Sequence, residues 1–228
     1  RAIEKYGVSI ICLNPTLLKK YADKYDACKY SLITLRTIYV SGSILNDNVY
    51  IAAHKTFKNT AIYNVYGLSE AGPRVTAQCS ICCENNSVGK PINGIEIEIV
   101  NNKGIPQKAG ECGIVHVNTP SLFDGYIIGK KAVSLYKNWL NTGDIGYLDS
   151  GGNLFIIGRY DNIILFQSHN IYPETIEDAI KRTNMIKECV VSVNKYEELV
   201  CYYTTNTCEA LSNKQLRHII SLCEMTLA

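Results

Sequence analysis

The first third of the chain alternates short apolar runs with stretches of helical spacing. Apolar and β-branched residues cluster in GVSIICLN, LRTIYV and AIYNVY, and each run has the length of a strand. Between them lie PTLLKKYADKY, with Pro15 in its first turn, and NDNVYIAAHKTF, which Asn46 or Asp47 can cap. The order strand, helix, strand, helix, strand predicts a parallel sheet built from βαβ units.

The pattern changes near Val88. From there to the sequence HVNTP, apolar and polar residues alternate around turns at NNKG and KAG, which predicts antiparallel strands in a small β-barrel. GYLDSGGNLFIIG is typical of a β-hairpin. Farther on, PETIEDAIKRT and SNKQLRHIISLCEM have helical spacing, whereas KECVVSV and ELVCYYTT resemble strands.

These patterns predict a mixed α/β and α+β fold of several subdomains. We expect residues 1–87 to be part of a large domain with βαβ layers. Residues 88–160 are expected to form the barrel, and residues 161–228 are expected to form part of a small C-terminal lobe. The barrel segment, including its final hairpin, carries the nucleotide-site motifs described below. YGLSE is interpreted as a loop that follows the third strand.

Composition excludes several classes of protein. Apolar residues make up 46% and charged residues 19%, and the net charge of +2 gives no reason to expect a nucleic acid or an anionic membrane as partner. No apolar run approaches the roughly 20 residues that a membrane span requires. Most of the ten cysteines lie in apolar runs, which favours reduced thiols and a cytoplasmic location. The single CxxC in QCSICCEN is interpreted as a surface loop rather than a zinc site.

The segment NVYGLSEAGP combines groups that suit a nucleotide. Tyr66 offers an aromatic face beside the small residue Gly67, and Ser69 and Glu70 add a hydroxyl and a carboxylate. A ring can stack on a base, a hydroxyl can donate to a phosphate, and a carboxylate can help to hold Mg²⁺. An ordinary loop at a strand end explains this segment equally well when it is taken alone. The same holds for the turn SGSIL around Gly42, where a glycine permits close approach of a ligand to the backbone.

Two later segments are more specific. In WLNTGDIG, Asp144 is interpreted as an acid held by a glycine turn, where it can accept hydrogen bonds from both hydroxyls of a ribose. In GRYD, Arg159 lies at a strand end and supplies a planar cation for ribose or phosphate oxygens. A structural ion pair between Asp144 and Arg159 is the alternative for both residues.

Taken in order, SGSIL, NVYGLSEAGP, WLNTGDIG and GRYDNIILFQSHNIYPETIE resemble the signature segments of the adenylate-forming, or AMP-binding, superfamily. This superfamily includes acyl-CoA synthetases, nonribosomal peptide adenylation domains and luciferases. The resemblance implies that Gly42, Gly67 and Asn64 line the nucleotide site, with Asn64 meeting the adenine amino group. It also implies that Tyr66 stacks on adenine and that Asp144 binds the ribose.

The resemblance assigns catalytic roles as well. Ser69 would contact phosphate, Glu70 would act with Mg²⁺, and Arg159 would contact ribose or phosphate. Asp161 matches the hinge about which the small domain of this family rotates, although a capping aspartate is an equal alternative. Pro173 and Glu177 fit the family's closing pattern as determinants of the fold.

The implied activity is an ATP-dependent activation of a carboxylic acid. The acid would become an acyl-adenylate, and the acyl group would then pass to a thiol, which makes the protein an acid–thiol ligase. Leu68 after Gly67 favours an acyl-CoA synthetase with CoA as acceptor. The alternatives are an adenylation domain that loads a phosphopantetheinyl carrier protein, and a catalytically silent nucleotide-binding or interaction module.

The chain departs from the family pattern at three positions. Leu165 replaces a frequent lysine, Ser168 a glycine that is usual in CoA-using members, and Thr175 a glutamate. Ser168 favours a carrier-protein acceptor, because a side chain at this turn would narrow the pantetheine tunnel. The phosphate loop and the catalytic lysine of the family have no counterpart in the chain. We therefore expect a fragment of a longer enzyme that is inactive alone.

Overall fold

A computed structural model of the chain describes residues 2–26, 29–79, 87–125, 135–136, 138–205 and 210–227. The chain divides into two compact units. The first unit contains residues 1–142 and 146–156, and the second contains residues 143–145 and 157–228. Each unit is described by itself below.

The described residues form five α-helices and fourteen β-strands. The helices are α1 (Ala2–Tyr6), α2 (Pro15–Lys24), α3 (Asp47–Thr56), α4 (Pro173–Arg182) and α5 (Asn213–Leu227). The strands up to residue 118 are β1 (Ile10–Leu13), β2 (Thr37–Val40), β3 (Ala61–Leu68), β4 (Gly72–Cys79), β5 (Lys90–Pro91), β6 (Glu96–Val100) and β7 (Gly113–Asn118). The remaining strands are β8 (Leu135–Tyr136), β9 (Trp139–Leu148), β10 (Leu154–Arg159), β11 (Ile164–Phe166), β12 (His169–Ile171), β13 (Glu188–Val193) and β14 (Leu199–Thr204).

The predicted parallel sheet is present in the first unit. Strands β1, β2 and β3 pair in parallel, and β4 and β5 extend the sheet in antiparallel fashion. Helices α2 and α3 bury their apolar residues against Ile38, Val40 and Ile62, which are all fully buried. The side chain of Asn14 caps α2 by accepting a hydrogen bond from the Leu17 amide at 2.8 Å. The mixed α/β fold class is therefore confirmed.

The interpretation of YGLSE as a loop is wrong in part. Strand β3 continues through Leu68, and β4 returns beside it after a short turn. The pairing has an irregularity between Tyr66 and Leu68, where a Cβ on Gly67 would lie only 2.4 Å from the Pro73 carbonyl oxygen. Gly67 is therefore required by the close approach of two backbones rather than by a flexible turn.

A second sheet has the order β10-β9-β7-β6, with β8 paired to β9. Val115, Val117 and Leu154 are fully buried in its core, as the alternating pattern predicted. The predicted turn DSGGN is held by Asp149, which accepts hydrogen bonds from the backbone amides of Gly151 and Asn153 at 2.8 Å. Among the described strands this order is open, so the antiparallel strands are present but no closed barrel is observed.

Helices α4 and α5 and the hairpin β13–β14 form the core of the second unit, around buried Ile176, Ile180 and Val191. Helix α5 begins with a capping box, because the Ser212 hydroxyl accepts from the Gln215 amide at 3.4 Å and the Gln215 side chain accepts from the Ser212 amide at 2.9 Å. Within the described part of the chain, no helix combines the length and apolar character needed to cross a bilayer.

The cysteines differ in their surroundings. Cys189 is buried, Cys201 and Cys223 are half-buried, and burial raises the pKa of the Cys189 thiol to about 12. Such a thiol stays protonated at neutral pH, which suits the role of a small apolar side chain. Cys12 and Cys112 are exposed free thiols, so a position in an apolar run does not bury these two side chains. Cys82, the second cysteine of the CxxC, and its neighbour Cys83 lie outside the described residues.

A short hairpin that the sequence analysis did not identify connects the second hairpin strand β10 to α4. Strands β11 and β12 pair in antiparallel fashion with Phe166 opposite His169, so that Gln167 and Ser168 form a two-residue turn. Both turn residues have positive φ, 48° at Gln167 and 66° at Ser168. Such turns favour glycine, because an L side chain is strained in this backbone region.

We predict that Ser168→Gly raises the free energy of unfolding by about 0.5–1 kcal/mol, because it removes the strain of a left-handed serine. Urea denaturation followed by circular dichroism measures the change. Ser192→Gly in β13, where φ is not positive, is the matched control and is expected to destabilise by about 1 kcal/mol. Equal destabilisation by both substitutions would contradict the turn geometry.

Candidate functional site

The residues proposed from the sequence fall into two groups, one in each unit. The first unit contains Gly42, Asn64, Tyr66, Gly67, Ser69 and Glu70. The second unit contains Asp144, Arg159 and Asp161.

In the first unit, the candidate residues lie at or just beyond the point where the parallel pairing of β2 with β3 ends. Val40, the last residue of β2, pairs with Asn64 of β3. Gly42 lies two residues beyond Val40 and Tyr66 two beyond Asn64, so they extend from the same end of the sheet. Gly42 has φ +93°, and nothing lies within 4 Å of the position of a Cβ on it. Ligands of α/β proteins bind at this end of a parallel sheet.

Asn64 is buried, and its orientation is determined by one hydrogen bond. Its Nδ2 donates to the Ser87 carbonyl oxygen at 2.9 Å. Ser87 is itself held, because its hydroxyl donates to the Leu154 carbonyl at 3.0 Å. The amide nitrogen of Asn64 is thus engaged with the backbone, which leaves Oδ1 as the atom suited to accept from an amino group.

Ser69 and Glu70 lie in the turn that joins β3 to β4. Ser69 is exposed and Glu70 is half-buried. The turn is held from outside the hairpin, because the Phe123 amide donates to the Glu70 carbonyl oxygen at 3.0 Å. It is also closed from within by the Ala71 amide, which donates to the Leu68 carbonyl at 3.1 Å. The hydroxyl and the carboxylate therefore project from a defined backbone.

The TGD segment lies inside strand β9 and not in a turn, which corrects the interpretation from sequence. Thr142 faces the core, where its hydroxyl donates to the Val115 carbonyl oxygen at 2.8 Å. Gly143 then has φ +71°, a conformation that interrupts the regular strand. The backbone of Asp144 therefore follows a local distortion, and its side chain is buried.

In the second unit, Asp144 and Arg159 are in direct contact. Arg159 Nη1 donates to Asp144 Oδ1 at 2.9 Å, in the ion pair that the sequence analysis kept as an alternative. The Asp144 side chain is 12% exposed and that of Arg159 48%. Because solvent screens the exposed guanidinium, we expect the pair to contribute only about 1 kcal/mol to stability. Its main consequence is to orient a mostly buried carboxylate.

Asp161 is exposed and lies in a 3-10 turn, Tyr160–Asn162, for which Arg159 is the N-cap residue. Two neighbours anchor this segment to the N-terminal turn of α4. The side chain of Asn162 donates to Glu174 Oε1 at 2.5 Å, and a Cβ on Gly158 would lie 2.6 Å from Glu174 Oε2. Sequence reasoning missed Glu174, whose only signal was an acid at the start of a helix.

Comparison with known proteins shows the family. Residues 1–127, more than half of the chain, match the model of the family described as AMP-binding enzyme. The chain therefore belongs to the AMP-binding enzyme family. The resemblance to the adenylate-forming superfamily is thereby confirmed.

Curated relatives match over different parts of the chain. A 2-succinylbenzoate–CoA ligase of Lactococcus lactis is 31% identical over 188 residues, which cover 81% of this chain and 38% of that protein. The acyl–CoA ligase YdaB of Bacillus subtilis is 37% identical over 110 residues, 46% of this chain and 22% of that protein. The chain thus spans well under half the length of these curated relatives.

Solved structures show the same fold. The O-succinylbenzoate coenzyme A synthetase of Bacillus subtilis, in a complex with AMP, superimposes with a TM-score of 0.86. The match covers 100% of this chain and 46% of that chain, with 23% sequence identity. At this identity the likeness supports the fold alone.

We predict that Gly143→Ala lowers the free energy of unfolding by about 2 kcal/mol. About 1 kcal/mol comes from a left-handed alanine. The rest is the loss of the ion pair, because the new Cβ would lie 2.9 Å from Arg159 Nη2. Chemical denaturation of this variant measures the sum of the backbone contribution and the ion-pair contribution.

Gly152→Ala is the matched control, since Gly152 also has a positive φ, +79°, but nothing lies within 4 Å of its Cβ position. It is expected to cost about 1 kcal/mol. In an Arg159→Ala background, the cost of Gly143→Ala should fall to that of the control. If the cost does not change in that background, Arg159 is not what the new methyl group displaces.

Proposed function

We propose that the chain binds adenine nucleotide and contributes to the ATP-dependent activation of a carboxylic acid, followed by transfer of the acyl group to a thiol. The observation that carries this proposal is the membership of the AMP-binding enzyme family over residues 1–127. The relatives are named as acid–CoA ligases, which supports CoA as the acceptor. The cytoplasmic location expected from the reduced thiols is part of the proposal.

In the first unit, we assign adenine recognition to Asn64 and Tyr66. The buried amide of Asn64 has its nitrogen committed to Ser87, so that its oxygen is suited to the amino group of adenine. Tyr66 is half-buried, and we assign its ring to stacking on the base. Gly42 keeps the backbone free of a side chain at this end of the sheet, and Gly67 allows β3 to approach β4 next to Tyr66.

Ser69 and Glu70 are assigned to the phosphates. The exposed Ser69 hydroxyl can donate to a phosphate oxygen, and the carboxylate of Glu70 is a hard oxygen ligand of the kind that Mg²⁺ prefers. A magnesium site built from one or two carboxylates and the substrate phosphates is the usual arrangement, so Glu70 fits. When bound, Mg²⁺ would neutralise negative charge that builds up on the phosphate oxygens.

In the second unit, Asp144 is assigned to the ribose hydroxyls and Arg159 to ribose or phosphate. The contact of Arg159 Nη1 with Asp144 orients a carboxylate that is only 12% exposed. A carboxylate in a fixed position accepts two hydroxyl hydrogen bonds at a lower entropic cost than a mobile one. The side chain of Arg159 is 48% exposed, and its planar guanidinium suits oxygen acceptors.

The proposed chemistry has two steps. A carboxylate oxygen of the acid attacks the α-phosphorus of ATP, the bond to the pyrophosphate oxygen breaks, and an acyl-adenylate forms. A thiol then attacks the acyl carbon, loses its proton, and AMP leaves with the electron pair of the C–O bond. The first step concentrates negative charge at the α-phosphate, and the hydroxyl of Ser69 is assigned to counter it.

The test is an isothermal titration of AMP into the chain. We expect AMP to bind, and Asp144→Asn to weaken binding at least about tenfold, because a charged acceptor of the ribose hydroxyls is lost. Asn has the size of Asp and still accepts from Arg159, so the fold should persist. Circular dichroism of the variant checks this.

Asp23→Asn, which changes an exposed acid on α2, is the matched control and should bind AMP like the unmodified chain. Absence of AMP binding to the folded chain would count against the assignment of nucleotide binding. Equal affinity of the Asp144→Asn variant would show that Asp144 has a structural role only.

A further inference from the structure

One face of the first sheet carries a row of aromatic and sulfur side chains. Cys12, Tyr39, Tyr63 and Cys79 stand in one register line across β1, β2, β3 and β4. Their neighbours along the strands, Ile38, Val40 and Ile62, point to the opposite face and pack in the core under the helices. The Tyr39 and Tyr63 rings lie 5.3 Å apart, centre to centre, and both are half-buried.

Arg74 of β4 lies across this row. Its guanidinium carbon is 4.0 Å from the centre of the Tyr39 ring, and its Nη2 donates to the Cys12 sulfur at 3.6 Å. The aromatic face therefore supports the guanidinium. In this position the side chain is held in place although it is exposed, which reduces the entropy lost when it binds a ligand.

The charge of Arg74 is not neutralised by an acid within the described part of the chain. The ion pairs Asp144–Arg159, Glu188–Lys181 and Asp178–Arg182 of this part do not include Arg74. The sulfur of Cys12 is a weak acceptor and carries no charge while it is protonated. Arg74 therefore keeps the capacity for a bidentate contact with a carboxylate.

Tyr63 adds a neutral aromatic surface. A side-chain hydrogen bond with Cys79 and its proximity raise the pKa of Tyr63 above its ordinary value, so the phenol carries no charge at neutral pH. A neutral ring beside a cation favours a ligand that is both planar and anionic, because the ring offers stacking and the cation offers charge.

This row adjoins the segments assigned to the nucleotide. Tyr39 precedes Gly42 by three residues, Tyr63 directly precedes Asn64, and Arg74 follows Glu70 by four residues. Tyr39 and Tyr63 lie one register step before Val40 and Asn64, the last pair of the parallel pairing between β2 and β3. A ligand on this row would therefore lie at the end of the sheet where ligands of α/β proteins bind.

We propose that Arg74, with the rings of Tyr39 and Tyr63, binds a carboxylate of a planar aromatic acid, and that aromatic acids with a second carboxylate are the preferred substrates. The second carboxylate would pair with Arg74 and leave the other to react. This inference rests on the proposed function insofar as the ligand is the acid to be activated. It adds a specificity-determining residue that the motif segments do not contain.

The experiment compares two probes of the same shape, benzene-1,4-dicarboxylate and 4-methylbenzoate, by titration into the chain followed by NMR. We expect the dicarboxylate to bind about tenfold more tightly, as one added charged hydrogen-bonded contact implies. Arg74→Gln should reduce this preference to about twofold or less, while Arg74→Lys should keep part of it, since lysine retains the charge without the planar fork. Circular dichroism checks the fold of each variant.

Arg36→Gln is the matched control, since it removes an exposed arginine next to the opposite, amino end of β2. It should keep the full preference. The proposal is overturned if the unmodified chain does not prefer the dicarboxylate, if Arg74→Gln keeps the preference, or if Arg36→Gln abolishes it to the same degree. Should Arg74→Gln not fold, full preference in Arg74→Lys would overturn it instead.

Titration of AMP into the unmodified chain separates this inference from the proposed function. AMP binding without a preference for the dicarboxylate would leave the nucleotide assignment standing and reject the role of Arg74. A preference that depends on Arg74 in a chain that does not bind AMP would support an anion site and reject the proposed function.

Discussion

The positive φ of Gly143 is the constraint on which the arrangement of Asp144 depends. A regular strand would turn alternate side chains to opposite faces, and Thr142 already uses the inner face for its bond to Val115. Gly143, with φ +71°, breaks that alternation, and a Cβ there would meet the guanidinium of Arg159. The glycine is thus needed twice, once for the backbone and once for the space that Arg159 occupies beside Asp144.

The first unit depends on a different constraint, the parallel pairing of β1, β2 and β3. Parallel sheets usually have both faces covered. One face of this sheet packs on α2 and α3, whereas the other carries the half-buried tyrosines and Arg74. The same pairing places Val40 beside Asn64. The turn that follows β2 and the part of β3 that continues beyond this pair therefore lie at the same end of the sheet. Sheet topology, and not any single motif, brings Gly42 and Tyr66 to the same end.

Much of this organisation could be predicted from the sequence, because periodicity and caps are local. The βαβ order, the start of α4 at Pro173 and the cap of α5 were all readable, and the AMP-binding family was identified from four short segments. Features that depend on contacts between residues far apart in the chain could not be predicted. The return of β4 depends on backbone contact at Gly67, and the positive φ of Ser168 is visible only once β11 and β12 are paired. The contact of Arg74 with Tyr39 joins residues far apart in the chain, and no local pattern signals it.

The two arginines of the candidate sites differ in a way that bears on their roles. Arg159 already balances the charge of a mostly buried carboxylate, so its attraction for a further anion is reduced by that neighbour. Arg74 rests on the aromatic face of Tyr39 and donates to the Cys12 sulfur, and these contacts position it without an acid partner among the described residues. An arginine that is paired with a carboxylate, as Arg159 is, is best suited to orient that acceptor. An arginine that is held in place without an acid partner is best suited to select an anionic ligand. For this reason the preference among acids is assigned to Arg74.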